Sequence, residues 1–297
     1  MSVPDNQDVS LLAVDAITFR HGFTRRTNVS GELSSRVTAD GGQKVSGSKH
    51  DTADGVWCVL GEPRTVAQIG QSGFAWIGLD MQHGAFDDTS LMSTMQMLST
   101  LPQSPMVAVR VAELSDARIG RALDLGADIV IVPMIETVEQ AQQAVAAAYY
   151  PPNGRRSWGS LVSQWGHVAP TPAASNPEVW VMLETPAGVE AAEEILAVPG
   201  VAAVFVGPFD LAIGLGVDVT DLLKAQHADD PLPRIVAAAR RTQKQTGAFA
   251  GDPTRAEALR SIGFSRVAVA TDSALLALGA ASVLGHDAGT TLRTYQV

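Results

Sequence analysis

Four side chains that can bind a metal, an anion or a proton each lie at or just after the end of a short apolar run in this 297-residue chain. Glu184 ends VWVMLE, Arg110 ends MVAVR, His83 follows FAWIGLD, and Asp210 closes GPFD directly after VAAVFV. Two carboxylates at neighbouring strand ends would repel each other unless a cation or a shared proton lay between them. Because no Cys or His cluster has zinc spacing, these oxygen ligands favour a hard octahedral ion, Mg²⁺ or Mn²⁺.

Each of these residues also has an ordinary structural interpretation. Glu184 could favour a helix N-terminus through the helix dipole, and Asp210 could cap the next turn. His83 could be a loop histidine, but beside a metal it is a candidate base. Arg110 would be costly to bury unpaired, and its planar guanidinium suits a carboxylate of the protein or of a substrate.

Asp124 lies in RALDLGADIV, at the end of a predicted helix before the fourth strand. One interpretation is a solvated helix residue. A buried aspartate at this place could instead orient the second nitrogen of a histidine, as in a catalytic triad.

Eight short apolar runs must position these residues. They are VWCVL 56–60, FAWIGLD 74–80, MVAVRV 106–111, DIVIVPMI 128–135, VWVMLE 179–184, VAAVFVG 201–207, GAFAG 247–251 and RVAVAT 266–271. Apolar strands that alternate with amphipathic helices are typical of a parallel sheet covered on both faces. Eight of them predict a (β/α)₈ barrel, whose active site lies at the C-terminal ends of the strands.

Helix start signals support this alternation. Thr137 and Gln140 fit a capping box, and Thr185 before Pro186 fits an N-cap with proline at the first helical position. The apolar stretch TDSALLALGAASVLG predicts a terminal helix that could pack on a neighbouring subunit.

The composition argues against several classes of protein. The net charge is −10 with a pI of about 5.0, so no basic field exists to displace counterions from nucleic acid. The single cysteine, Cys58, excludes an intramolecular disulfide framework and suits a reducing cytosol. Neither an apolar run of about eighteen residues nor a secretory signal is present. We therefore expect a soluble cytoplasmic protein that binds neither nucleic acid nor membranes.

Residues 1–54 differ in composition from the rest of the chain. They are rich in Ser, Thr, Gly and Asp and show almost no apolar periodicity. Such a segment cannot bury enough surface to offset its ordering entropy, so we predict a polar, disordered N-terminal extension. Residues 55–297 are then the barrel domain.

Six longer segments carry a family resemblance. They are FAWIGLDMQHG, VAVRV, RALDLGADIVIVPMIETVEQAQQAV, YYPPNGRRSWG, VMLETPAGVE and VFVGPFDLAIGLG, spread over roughly residues 55–280. In this order they resemble the HpcH/HpaI family of class II, metal-dependent pyruvate aldolases, such as 4-hydroxy-2-oxoheptanedioate aldolase. The resemblance implies a (β/α)₈ barrel and a homo-oligomer, a hexamer with the last helix exchanged between subunits.

The resemblance also implies a reaction and a role for each candidate residue. The reaction is reversible cleavage of a 4-hydroxy-2-oxo acid to pyruvate, or a related 2-oxo acid, and an aldehyde, through an enolate stabilised by Mg²⁺, Mn²⁺ or Co²⁺. The implied metal ligands are Glu184 and Asp210, and the implied catalytic residues are His83, its partner Asp124, and Arg110. The implied substrate-binding residues are Arg110, Gly207 and Pro208, supported by Asp80 and Gln82.

Two residues depart from the family pattern. Gln82 stands where many members have glutamate, and Met182 replaces a glutamine often found there. Two other functions are alternatives. A CoA-ester lyase of the citrate or malyl type would need a basic groove, and only Arg155 and Arg156 are expected to cluster near the mouth. A non-catalytic carboxylate-binding barrel is disfavoured because the candidate residues are intact.

Overall fold

The computed structural model describes residues 53–224 and 227–286. Within them, eight parallel strands form a closed barrel in which each strand pairs with its neighbours in chain order. The strands are β1 (Ala53–Cys58), β2 (Trp76–Asp80), β3 (Met106–Arg110), β4 (Ile129–Val132), β5 (Glu178–Leu183), β6 (Val201–Val206), β7 (Gln245–Phe249) and β8 (Arg266–Thr271). The barrel predicted from the apolar runs is confirmed, with strand ends that differ from the runs by a few residues.

Helices follow the strands and cover the outside of the barrel. They are α1 (Pro63–Ile69), α2 (Asp88–Ser99), α3 (Asp116–Asp124), α4 (Val138–Ala148), α5 (Pro186–Glu190), α6 (Ala192–Leu196), α7 (Pro208–Leu215), α8 (Val219–Lys224), α9 (Pro231–Arg241), α10 (Pro253–Ile262) and α11 (Asp272–Leu284). The capping box of Thr137 and Gln140 and the N-cap at Thr185 are both confirmed.

The barrel interior is packed with large side chains. It holds a buried cluster that includes Trp57, Trp76, Trp180 and Phe205. The ring centroids of Trp57 and Phe205 are 5.3 Å apart in a stacked arrangement. Gly78 makes room for this layer, because a Cβ there would lie 2.4 Å from Trp57 Cε3. A filled interior leaves the strand ends as the place where a small ligand can meet polar side chains.

The predicted N-terminal extension lies outside the described residues, except that Ala53 and Asp54 already belong to β1. The extension therefore stays a prediction. In the part of the chain that the structure describes, no helix has the length and apolar character needed to cross a membrane.

Candidate active site

Glu184 and Asp210 come together at the C-terminal ends of β5 and β6. Leu183 pairs with Val206 across the sheet, so the residues that follow, Glu184 and Gly207, are neighbours. Asp210 lies in the first turn of α7. Asp210 is exposed, whereas Glu184 is 2% exposed, and the two carboxyl groups are close enough to affect each other's protonation.

This arrangement raises the pKa of Glu184 to about 7. Burial is the main cause, and the charge of Asp210 and its hydrogen bond raise the pKa further, while the amide of Met134 and the charge of Arg110 oppose the rise. A buried carboxyl group with a second carboxylate beside it needs either a proton or a cation. The expected repulsion between the two carboxylates is therefore present.

The two oxygens of Glu184 have different surroundings. Oε1 accepts a hydrogen bond of 2.9 Å from the backbone amide of Met134, which has a left-handed φ of 57° just after β4. Oε2 faces Gly207, where a Cβ would lie only 2.6 Å from this oxygen. The turn at Met134, whose φ is rare for a residue other than glycine, thus holds one oxygen of Glu184, and the other lies on the Gly207 side.

The donor set fits a hard divalent cation. Among residues 53–224 and 227–286, no three His, Cys, Asp or Glu side chains converge on a common metal position. The protein would therefore supply two carboxylates, Glu184 and Asp210. Mg²⁺ is commonly bound through one or two carboxylates and keeps several waters, whereas structural zinc takes four protein ligands. The fit favours an ion of the Mg²⁺ or Mn²⁺ type.

We expect Gly207→Ala to weaken metal binding about 10–100-fold with little loss of stability. The new Cβ would meet Glu184 Oε2 and Met182 Cε, both at 2.6 Å, and both are the far ends of flexible side chains. The fold can accommodate them, but the ligand oxygen must move. Mn²⁺ titration followed by electron paramagnetic resonance measures the affinity. Gly120→Ala in α3 is the control, since its Cβ would enter open space. Wild-type Mn²⁺ affinity in Gly207→Ala would contradict this geometry.

Arg110 is held rigidly by Asp80. Its Nε and Nη2 donate to the two carboxylate oxygens at 2.9 and 2.5 Å, and both residues are buried. The guanidinium carbon lies 5.3 Å from the ring centroid of Trp57, whose indole N–H also donates to Asp80 at 3.2 Å. Nη1 faces the thioether of Met182 at 3.9 Å, a weak acceptor. This edge of the guanidinium is suited to a ligand carboxylate.

Asp80 also organises the loop after β2. Its Oδ1 accepts hydrogen bonds from the amides of Gln82 at 3.0 Å and His83 at 3.2 Å. Burial alone would raise the pKa of Asp80, but the hydrogen bond and charge of Arg110 and these two amides lower it more, so the pKa lies below its usual value. A lowered pKa stabilises the fold at neutral pH, and this contribution is lost as the pH falls below about 4.

We expect Asp80→Asn to cost about 3–5 kcal/mol of unfolding free energy at neutral pH, because Arg110 is left buried without its counter-charge. Urea unfolding measures the loss. Asp88→Asn is the matched control, because Asp88 forms an exposed ion pair with Arg121 at 3.1 Å, and such pairs contribute about 0–1 kcal/mol. Equal losses in the two variants would show that Asp80 has no special role.

The loop after β2 brings His83 and Gln82 to the same end of the barrel. The side chain of His83 is exposed, and its backbone is fixed by Asp80. The Oε1 atom of Gln82 is buried and has no hydrogen-bond partner among the described residues. A buried acceptor without a donor is uncommon, so this oxygen suits a water or a ligand hydroxyl group.

Asp124 lies at the other end of the barrel. It is the last residue of α3, which runs back toward the N-terminal ends of the strands, and its carboxylate accepts a hydrogen bond of 2.7 Å from Arg156. The two ends of the barrel are about 15 Å apart along a strand, at about 3.3 Å per residue. The structure therefore does not bring Asp124 and His83 together within one chain.

The chain also matches a known protein family over most of the residues that the structure describes. A family model described as HpcH/HpaI aldolase/citrate lyase matches residues 54–278. This chain belongs to the HpcH/HpaI aldolase/citrate lyase family. The family generally depends on a divalent metal ion.

Relatives with curated names are aldolases. A hydroxypyruvate/pyruvate aldolase from Deinococcus radiodurans is 36% identical over 235 residues, covering 76% of this chain and 82% of that protein. A 5-keto-4-deoxy-D-glucarate aldolase from Klebsiella pneumoniae is 36% identical over 239 residues, covering 77% and 90%. A crystal structure of an HpcH/HpaI aldolase/citrate lyase family protein from Burkholderia cenocepacia has a TM-score of 0.69 at 28% identity, covering 79% of this chain and 94% of that one.

The two arginines expected near the mouth, Arg155 and Arg156, lie in the segment between α4 and β5. Each is paired with a carboxylate of α3, Arg155 with Asp116 at its start and Arg156 with Asp124 at its end. These pairs balance the charge of both arginines, which weakens the CoA-ester alternative.

Sequence reasoning missed two supporting residues of this family member, Met134 and Trp57. The backbone amide of Met134 donates a hydrogen bond to Glu184, and the indole N–H of Trp57 donates one to Asp80. The carboxylate of Asp272 accepts hydrogen bonds of 3.0 Å from the amides of Val59 and Leu60, which ties the loop after β1 to α11. Asp272 is visible in the sequence, as a polar residue that directly follows β8.

Proposed function

We propose that this chain is a class II aldolase that reversibly cleaves a 4-hydroxy-2-oxo acid into pyruvate, or a related 2-oxo acid, and an aldehyde. The proximity of Arg110 to the carboxylate pair carries this proposal. Met182 lies between them, with its Sδ 3.9 Å from Arg110 Nη1, while a Cβ on Gly207 would lie 2.6 Å from both Met182 Cε and Glu184 Oε2. A carboxylate anchor and a ligand pair for a cation thus lie close enough to act on one small 2-oxo acid.

In this proposal the side chains divide the work of binding. Nη1 of Arg110 holds the substrate carboxylate, while Gly207 and Pro208 shape the adjoining wall at the start of α7. Glu184 and Asp210 would hold Mg²⁺, Mn²⁺ or Co²⁺. The cation supplies Lewis-acid polarisation of the 2-oxo group when bound.

His83 is proposed to move the proton of the 4-hydroxyl group. In the cleavage direction it accepts this proton, the C3–C4 bond breaks, and the aldehyde leaves. The electron pair stays on the three-carbon enolate, which becomes pyruvate when a proton is added at C3. General acid–base catalysis of this kind contributes about 10²–10⁴-fold.

A lysine Schiff base plays no part in this proposal. Of the described lysines, Lys224 lies beside Asp221 at 3.8 Å on α8, and Lys244 donates to the carbonyl of Val201 at the start of β6. Neither lysine lies on a strand, and Lys244 is at the N-terminal end of the barrel.

The role of Asp124 requires a second copy of the chain. Because Asp124 lies at the end of the barrel opposite His83, we propose that Asp124 of the partner subunit orients His83 within a homo-oligomer, a hexamer by family resemblance. We also propose a cytoplasmic location, which the single buried thiol of Cys58 suits.

Deuterium exchange at C3 of pyruvate tests the proposed function without a choice of aldehyde. The rate is followed by NMR in D₂O with added Mg²⁺ or Mn²⁺ and with EDTA. We expect exchange that depends on the metal and is lost in Arg110→Ala. Absence of exchange in folded, metal-loaded protein would contradict the proposal.

A further inference from the structure

Met182 lies at the floor of the site, between its two binding groups. It comes two residues before Glu184, so both side chains point to the same face of the sheet, toward the barrel axis. Met182 is 2% exposed, as is Glu184. Met182 belongs neither to the carboxylate pair that would hold the metal nor to the ion pair of Arg110 with Asp80.

The thioether spans the gap between Arg110 and the carboxylate pair. Its Sδ lies 3.9 Å from Nη1 of Arg110, the nitrogen that Asp80 leaves for a ligand. Its Cε lies against Gly207, since one Cβ on that glycine would be 2.6 Å from both Met182 Cε and Glu184 Oε2. The methyl group is therefore an immediate neighbour of the proposed ligand oxygen.

The layer below Met182 offers no polar replacement among the described residues. It is built from Trp57, Trp76, Trp180 and Phe205. Each of the three indole N–H groups already donates to another acceptor, namely Asp80, the carbonyl of Ala53, and Glu178. A ligand that lies over Met182 therefore meets a methyl group and a sulfur atom that donates no hydrogen bond.

We propose that Met182 sets the choice of donor, favouring a 2-oxo acid with an unsubstituted C3, pyruvate, over one with a C3 hydroxyl group, such as hydroxypyruvate. This inference rests on the proposed function. A 2-oxo acid held between Arg110 and the Glu184–Asp210 pair must lie across the thioether. A hydroxyl group that faces the thioether loses its hydrogen bonds to water and gains no comparable partner from Met182.

The test compares wild type with Met182→Gln and Met182→Leu. For each protein, kcat/KM for C3 exchange is measured with pyruvate and with hydroxypyruvate, and Kd for each donor is measured on the Mn²⁺-loaded protein. Glutamine keeps the unbranched shape and adds a hydrogen-bonding amide, whereas leucine stays apolar. We expect wild type and Met182→Leu to favour pyruvate at least about tenfold, and Met182→Gln to reduce this ratio at least about tenfold.

Three results would overturn the inference. One is equal use of the two donors, or a preference for hydroxypyruvate, in wild type, which needs no variant to fold. Another is a proportional loss for both donors in Met182→Gln, which would assign Met182 to packing alone. The third is equal or undetectable binding of both donors. Absence of exchange despite a pyruvate-selective Kd would instead reject the aldolase reaction while leaving the selectivity of Met182 standing.

Discussion

Replacing Glu184 with glutamine is expected to abolish metal-dependent turnover without destabilising the metal-free fold. Glutamine keeps the size of the side chain and an oxygen that can accept the hydrogen bond from the backbone amide of Met134. It removes the charge that a divalent cation needs and leaves Asp210 as the only carboxylate of the pair. Donor exchange should fall on the order of a thousandfold, since charge stabilisation at the reacting oxygen is lost.

The same substitution should change the pH dependence of stability. Burial, together with Asp210, raises the pKa of Glu184 from 4.5 to about 7. A carboxyl group with a raised pKa stabilises the folded state below its unfolded pKa, and this contribution is lost as the pH rises through the folded value. Metal-free wild type should therefore lose about 2–3 kcal/mol between about pH 5 and about pH 8 from this group, and the variant should not.

Two measurements on the same samples test both effects. Unfolding of EDTA-treated protein at acidic and alkaline pH gives the stability difference, and Mn²⁺ titration gives the affinity. Glu190→Gln on α5 removes an exposed carboxylate and should leave both quantities unchanged. Wild-type Mn²⁺ affinity in Glu184→Gln would remove Glu184 from the metal site.

The fold could be predicted because its signals are local. Apolar runs such as IVIV in β4 match a strand buried on both faces, and Thr137 begins α4 with a capping box. Parallel strands in chain order then bring Glu184 and Asp210 to one edge. These features depend on neighbours in sequence and on the handedness of β–α–β units, which single residues do not alter.

The partners of the site residues could not be predicted in the same way. Asp80 and Arg110 are thirty residues apart, and their pairing depends on adjacent strand ends and on an indole beneath them. The turn at Met134 left no sequence signal, because a positive φ is expected of glycine or asparagine rather than methionine. The ion pairs of Arg155 and Arg156 likewise join residues 39 and 32 positions apart, which no local pattern predicts.

The position of Asp124 leads to the second large effect that we expect. His83→Ala and Asp124→Ala should each lose about 10²–10⁴-fold in donor cleavage, because the base or its orienting partner is absent. If Asp124 acts from the partner subunit, a mixed oligomer contains sites with both wild-type residues. Co-expression of the two variants in equal amounts should then restore activity to about a quarter of wild type, as random assembly predicts.

The design separates a shared site from a structural role. Asp124 is bound to the buried Arg156, so its loss could also weaken the fold, but a destabilised subunit gains no activity from a partner that lacks His83. The control is the two variants purified separately and mixed without subunit exchange, which should stay inactive. A co-expressed mixture no more active than the sum of its parents would mean that Asp124 does not complete the site of another subunit.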